Sequence, residues 1–180
     1  MTVEPIRDKA TISKITAELK KKGSRDAMLW VMGINIGLRI SDLLLLKVGQ
    51  VRNKSFITIT EQKTGKKKQI QFVNELLPII AEYIQNMSDE DYLFQSRKGD
   101  NKPLSRIQAY RIINQACRNL GITDNIGSHT IRKSFGYHHY QKNKDVAILQ
   151  EIFGHSSPSI TLRYIGINND IIRNSMEFIN

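Results

Sequence analysis

Side chains able to act together on a phosphate ester are concentrated in one stretch. Ser128 to Tyr164 reads S-H-T-I-R-K-S-F-G, then a helical segment, then F-G-H-S-S-P-S-I-T-L-R-Y. His129 and Arg132 are spaced i and i+3, which puts them on one face of a helix. Both fall in its first turn, where backbone N–H groups and the helix dipole attract an anion. His155 follows Gly154 and precedes a Ser-Pro helix start, and Tyr164 lies just before Gly166. Arg39 sits between Gly37, a helix stop, and Ser41, a helix start. Lys63 falls in Q-K-T-G-K-K-K, the link between two alternating segments. The planar fork of a guanidinium matches phosphate oxygens two at a time. Two pinned arginines, a lysine at a hairpin tip, two histidines and a tyrosine suit phosphoryl transfer. They can hold a phosphodiester, neutralise its developing charge, and supply both a nucleophile and an acid.

Other chemistries fit less well. The four histidines, His129, His138, His139 and His155, come with no Cys–His or H-E-x-x-H spacing, so no metal site is expected. No G-x-x-x-x-G-K-[ST] loop or G-x-S-x-G elbow occurs, so neither a nucleotide cofactor nor an α/β-hydrolase serine is expected. Asp89, Glu90 and Asp91 read as a solvated loop. Net charge is +10 with a pI near 9.8, which favours a polyanionic partner, nucleic acid first and an anionic membrane second. Cys117 is the single cysteine and reads as a buried thiol. The lack of a disulfide framework fits a reducing cytosol, and a cytoplasmic location is expected. The first ten residues, MTVEPIRDKA, do not resemble a signal peptide. No apolar run approaches the roughly 20 residues that span a bilayer.

The elements that must position these residues are mainly helical. Thr11 or Ser13 should cap a helix to about Lys22, and Ser24 one over Arg25 to Ile36 whose dense apolar positions make it central. Ser41 should cap a short helix, Asp42 to Lys47. Phe56 to Thr60 and Gln69 to Val73 alternate and read as strands of one hairpin. Helices are expected from Asn74 to Met87, from Ser105 to about Leu120, after Ser128, after Asp145, after Ser157 with Pro158 at its first position, and from about Asn169 to Phe178. The fold class is therefore α+β, mainly α-helical, with one small hairpin inserted after the third helix, in a single domain over residues 1–180.

G-L-R-I-S-D at 37–42, H-T-I-R-K at 129–133 and F-G-H-S-S-P-S-I-T-L-R-Y at 153–164 resemble the tyrosine recombinases, the phage-integrase class of site-specific recombinases. The resemblance runs from about Pro5 to Met176. It implies that family's catalytic-domain fold and its reaction, in which a tyrosine attacks a DNA phosphodiester to give a 3′-phosphotyrosine and a free 5′-hydroxyl, without metal or ATP. Carried over by position, Tyr164 would be the nucleophile, and Arg39 and Arg132 the clamp on the non-bridging oxygens. Lys63 would protonate the leaving 5′-oxygen, His129 would be the base or proton shuttle, and His155 would hydrogen-bond the phosphate. Asp42 would orient the fork of Arg39. Lys66, Lys67, Lys68 and Lys133 would contact DNA.

Several positions have rival readings. Arg39 could simply pair with Asp42, and Lys66, Lys67 and Lys68 are as cationic as Lys63. Tyr137 and Tyr140 lie close after Arg132 but beyond the anion-binding turn, and read as packing residues, as do Tyr83, Tyr92 and Tyr110. His138 and His139 read as filler. Lys133 stands where many relatives carry histidine, and Asp42 where glutamate is common. Family members usually carry an N-terminal clamp domain; here only a short lead precedes the catalytic residues, so weak, salt-sensitive binding to double-stranded DNA is expected. A monomer in solution and a tetramer on DNA are expected, with no membrane partner. Type IB topoisomerase-like relaxation and a non-cutting DNA-binding accessory role remain as alternatives.

Overall fold

Helix α2 (Ser24–Ile36) is apolar on nearly every side, and a helix of that kind must be surrounded. In the computed structural model, which describes residues 3–123, 125–127 and 129–167, α2 lies between two parts of the core. Met28, Leu29, Met32 and Ile36 join one cluster with Leu43, Leu46, Leu76, Ile80, Phe94 and the inward side of the hairpin. Ala27 and Trp30 join the other with Ile15 and Leu19 of α1 (Lys9–Lys22), Ile113 and Cys117 of α6 (Arg106–Asn119) and Ile131 of α7 (Thr130–Asn143). Cys117 is buried, as its spacing indicated.

After α2 the chain turns at Gly37, which takes the expected left-handed conformation. Two short helices follow, α3 (Ile40–Leu43) and α4 (Val48–Val51). The expected helix from Asp42 to Lys47 is thus shortened to α3, which begins two residues earlier and ends at Leu43, and α4 is an additional turn, so the hairpin comes after the fourth helix instead of the third. Strands β1 (Phe56–Thr60) and β2 (Lys67–Gln71) pair antiparallel, with Ile57 opposite Ile70 and Ile59 opposite Lys68. The second strand begins two residues earlier than its alternation suggested. Helix α5 (Leu76–Ile84) is shorter than expected at both ends. Tyr110, expected in the core, is 39% exposed.

The helices that carry the site begin and end largely on local signals. Ser105 caps α6 by accepting from the Gln108 N–H, Asp145 caps α8 (Val146–Phe153), and Ser157 caps α9 (Pro158–Tyr164) with Pro158 in its first turn. At α1 the cap is Asp8, not Thr11 or Ser13. The expected cap at Ser128 and the helix from Asn169 to Phe178 lie outside the described residues. Among the described residues no helix is long and apolar enough to cross a membrane.

A third, smaller cluster, Leu149, Phe153, Ile165 and Ile167, joins α8 and α9 to α7. The approach is close at Gly136, where an added Cβ would lie 2.6 Å from Phe153 Cζ and 2.7 Å from Ile165 Cγ2. Alanine gains about 1 kcal/mol of helix propensity over glycine. Overpacking a filled core costs about 1–3 kcal/mol. The second effect should win because both neighbours are wedged among other buried groups. Gly136→Ala should therefore lower the melting temperature by a few degrees, at ~2–4 °C per kcal/mol, in a thermal melt followed by circular dichroism.

Candidate active site

The last carbonyls of an α-helix have no partner within it and carry the negative end of its dipole. At the end of α8 the Gly154 and His155 N–H groups turn back to Gln150 and Glu151, because Gly154 adopts a left-handed conformation. The carbonyls of Ile152 and Phe153 are left to accept from cations. Phe153 O takes Arg132 Nη2 at 3.1 Å and Arg39 Nη2 at 3.5 Å. Ile152 O takes the ammonium of Lys68. Arg132 also donates to Gly37 O at 2.6 Å, and its guanidinium lies 4.4 Å from the centre of the Phe153 ring. Gly37 is the residue that ends α2, so this bond ties α7 to the loop that carries Arg39.

Arg132 is only 4% exposed. Burial lowers its pKa to about 10, so it remains a cation at neutral pH. Arg39 does not pair with Asp42. Its Nη1 meets Glu61 Oε1 at 2.7 Å, where Glu61 is 5% exposed. Asp42 instead accepts from the Gln62 N–H through Oδ1 at 3.0 Å, and its buried Oδ2 has no hydrogen-bond partner. It fixes the neck of the hairpin, and the fork of Arg39 is oriented by Glu61.

Tyr164 ends α9. Its hydroxyl lies 3.1 Å from His129 Nδ1, and the two rings meet edge to face. Phe153 and His155 flank the tyrosine ring at 5.4 and 5.2 Å between centroids. Burial raises the Tyr164 pKa against the opposing charges of Arg132 and Arg39. The cations surrounding it therefore do not suffice to ionise the phenol, and a base is needed. His129 is suited to that: burial first, then the charges of Lys133, Arg132, Arg39 and Lys63, hold its pKa below the usual imidazole value and keep it neutral near pH 7. His155 is shifted the same way by burial, Arg132, Arg39 and Lys68. Its Nδ1 contacts Thr161 Oγ1 at 3.0 Å, which leaves Nε2 for another partner.

The lysines sort differently from expectation. Lys63, Lys66 and Lys67 are exposed on the hairpin. Lys63 is not brought into bonding contact with the other site residues, although its charge is felt at His129. Lys68, expected as a DNA-facing cation, is 19% exposed and lies 3.7 Å from Glu61 Oε1. Burial lowers its pKa, Glu61 opposes that, and Arg132 and Arg39 add to it. Lys133, also expected to face DNA, is buried: Nζ donates to Val3 O at 2.8 Å and lies 5.1 Å from the centre of the Tyr164 ring. It is held inward because the segment before α1 runs along α7, where the Ile6 N–H also donates to Ser134 Oγ and Ile6 O meets His138 Nε2.

Glu61 and Lys68 as site residues had a sequence signal. Ile57, Ile59 and Glu61 alternate on one face of the hairpin, as do Lys68, Ile70 and Phe72. Period-two parity puts both polar groups on the inward side.

The fold is that of a tyrosine recombinase catalytic domain. The chain belongs to the phage integrase family, whose model matches residues 7–170. It is 49% identical to a probable integrase/recombinase, YoeC, of Bacillus subtilis, over 95% of this chain and 93% of that one. It is 30% identical to the tyrosine recombinase XerA of Pyrococcus furiosus, over 94% of this chain but 59% of that protein's length. Among solved structures, a XerA recombinase superposes with a TM-score of 0.75 over 99% of this chain and 66% of that one, at 18% identity. The catalytic domain of bacteriophage HP1 integrase superposes with a TM-score of 0.68 over 97% of each chain, at 21% identity.

The lowered imidazole pKa values have a consequence for pH. An unfolded histidine binds its proton near pH 6.5, but His129, His139 and His155 bind theirs only at lower pH when folded. The stability they contribute is present above pH 6.5 and is lost as pH falls through the lowered folded values. In NMR titrations the His129 and His155 imidazoles should have midpoints below 6.5, and the melting temperature should drop across the same window. Midpoints above 6.5 would contradict the partial desolvation and the cationic surroundings of the two rings.

Proposed function

We propose that this chain cleaves and rejoins DNA strands as the catalytic part of a site-specific recombinase, with Tyr164 as nucleophile. The observation that carries the reading is the Tyr164 hydroxyl at 3.1 Å from His129 Nδ1, beside two arginines that share the Phe153 carbonyl. Double-stranded DNA is the substrate.

In the proposed reaction Arg39 and Arg132 take the non-bridging oxygens of the scissile phosphate, exchanging some protein contacts for the anion. When the Thr161 hydroxyl turns to donate to Nδ1, His155 carries its proton on Nε2 and donates a further hydrogen bond from there. His129 accepts the phenol proton as the tyrosine oxygen bonds to phosphorus. The bond from phosphorus to the 5′-oxygen breaks, and Lys63 delivers a proton to that oxygen. The products are a 3′-phosphotyrosine and a 5′-hydroxyl. No hydrolysis occurs, so the ester bond energy is kept for the second strand's attack. Fixed cations aimed at the developing charge usually supply the largest part of such acceleration. General acid–base help adds about 10²–10⁴-fold.

The supporting XerH structure, a complex with its difH substrate before cleavage, has the same fold with a TM-score of 0.72 at 19% identity.

The test begins with a random-sequence pool of nicked duplexes, from which those captured covalently by the wild-type chain are recovered. A protein–DNA band should survive denaturing electrophoresis with a recovered duplex. Tyr164→Phe should abolish it, and Arg132→Ala should reduce its rate by at least about 100-fold. An undiminished band from Tyr164→Phe would remove the nucleophile from Tyr164. Relaxation of unrelated supercoiled plasmid at a comparable rate would assign a topoisomerase-like activity instead.

A further inference from the structure

Glu61 lies where the hairpin narrows, and its two carboxylate oxygens face different parts of the site. Oε1 meets Arg39 Nη1 at 2.7 Å, with Lys68 Nζ at 3.7 Å. Oε2 accepts from Thr64 Oγ1 at 2.7 Å. Thr64 follows Lys63 in the turn, and its hydroxyl also accepts from the Lys66 N–H at 3.3 Å. The backbone of Glu61 closes the turn as well, donating to Lys66 O at 3.0 Å and accepting from the Gly65 N–H at 2.8 Å. One buried carboxylate therefore joins the guanidinium of Arg39 to the short loop that carries Lys63.

A lone buried carboxylate would be costly. Burial does push the Glu61 carboxyl up, but the Thr64 hydrogen bond and the charges of Arg39 and Lys68 outweigh it, and the pKa ends below the ordinary value. The group is thus an anion at neutral pH, held by partners on both sides. Asp42 adds a second support from below through the Gln62 N–H. Lys63 itself has a long flexible stem and is exposed. Its reach to a leaving oxygen depends on where the turn is anchored, because a small misplacement of a proton donor costs much of its effect.

We propose that Glu61 is a positioning residue that docks the Lys63 turn onto Arg39, so that filling the phosphate clamp and placing the leaving-group acid are one event. The inference rests on the reading of Lys63 as the proton donor to the 5′-oxygen. Both carboxylate oxygens of Glu61 are taken up within the protein. Its effect on the reaction passes through Thr64 on one side and Arg39 on the other.

The experiment separates protonation of the leaving group from everything else. A duplex recovered by covalent capture is synthesised in two forms, with oxygen or with sulfur as the bridging 5′ atom at the scissile phosphate. A thiol has a pKa of about 8.5, so a thiolate departs without a proton. Loss of the acid then leaves the sulfur substrate almost unaffected. Single-turnover cleavage is measured for the wild type, Lys63→Ala, Thr64→Val and Glu61→Gln. Lys63→Ala should lose about 10²-fold or more on the oxygen substrate and little on the sulfur one. Thr64→Val, an exposed turn substitution that leaves Arg39 and Glu61 paired, should lose about 10-fold on oxygen and nothing on sulfur, a fraction of the full general-acid effect. Glu61→Gln should slow both substrates, and oxygen by the larger factor.

If Lys63→Ala shows no difference between the substrates, the assignment of Lys63 as acid fails. If it shows the difference and neither Thr64→Val nor Glu61→Gln does, the role of Glu61 fails while that of Lys63 stands. A measurement without DNA checks the docking itself. Backbone ¹⁵N order parameters of residues 62–66 should fall in Thr64→Val and Glu61→Gln. A turn as rigid as in the wild type would overturn the proposal.

Discussion

Cations of like charge do not gather without an anion or a dipole to hold them. Here the C-terminal end of α8, with two carbonyls left over by its glycine cap, is the feature that gathers them. The carbonyls of Ile152 and Phe153 accept from Lys68, Arg132 and Arg39, which come from a strand, a helix and a helix-start loop far apart in sequence. Oriented backbone dipoles attract positive charge without presenting a full negative charge of their own. A formal carboxylate in their place would compete with phosphate for the arginine forks. Glu61 is the one acidic group that pairs with these cations among the described residues, and it meets Arg39 at the edge nearest the hairpin.

The same helix end organises the apolar side of the site. Phe153 is fully buried and lies against Phe135, His155, Tyr164 and the Arg132 guanidinium. Its backbone holds the clamp while its ring sets the depth at which Tyr164 can sit. The close approach at Gly136 is what lets this ring and Ile165 reach α7. Packing and electrostatics thus converge on one residue that does no chemistry. The raised pKa of Tyr164 has burial as its leading cause, and Tyr164 packs on the small third cluster, so the acidity of the phenol follows from that cluster as much as from the charges.

Much of this was legible in the sequence, for local reasons. Ser105, Asp145 and Ser157 cap helices by contacts a few residues away, and Gly37 and Gly154 stop helices by their own backbone conformation. The three motif boxes and their order brought Arg39, Arg132, His129, His155 and Tyr164 to one place. What escaped were partnerships set by tertiary structure. Arg39 finds Glu61, 22 positions away, in preference to Asp42, three positions away, because hairpin register and not sequence distance decides which carboxylate faces it. The four lysines of the hairpin are alike in composition; only the pairing of Lys68 with Ile59 turns one of them inward. Lys133 is buried because the backbone of Val3 accepts its ammonium, and a backbone carbonyl leaves no mark in the residue pattern.

The contact between His129 and Tyr164 bears on how such a reaction would run in reverse. A group that receives the phenol proton during cleavage is, by microscopic reversibility, the group that returns it when the phenol departs. With the proton kept at a separation of 3.1 Å, a cut followed by a rejoining would exchange no net proton with water. The protein would then store no drive toward either the broken or the sealed strand. The choice between restoring the original junction and making a new one would fall to whichever 5′-hydroxyl is nearer, a matter of DNA geometry and not of the catalyst.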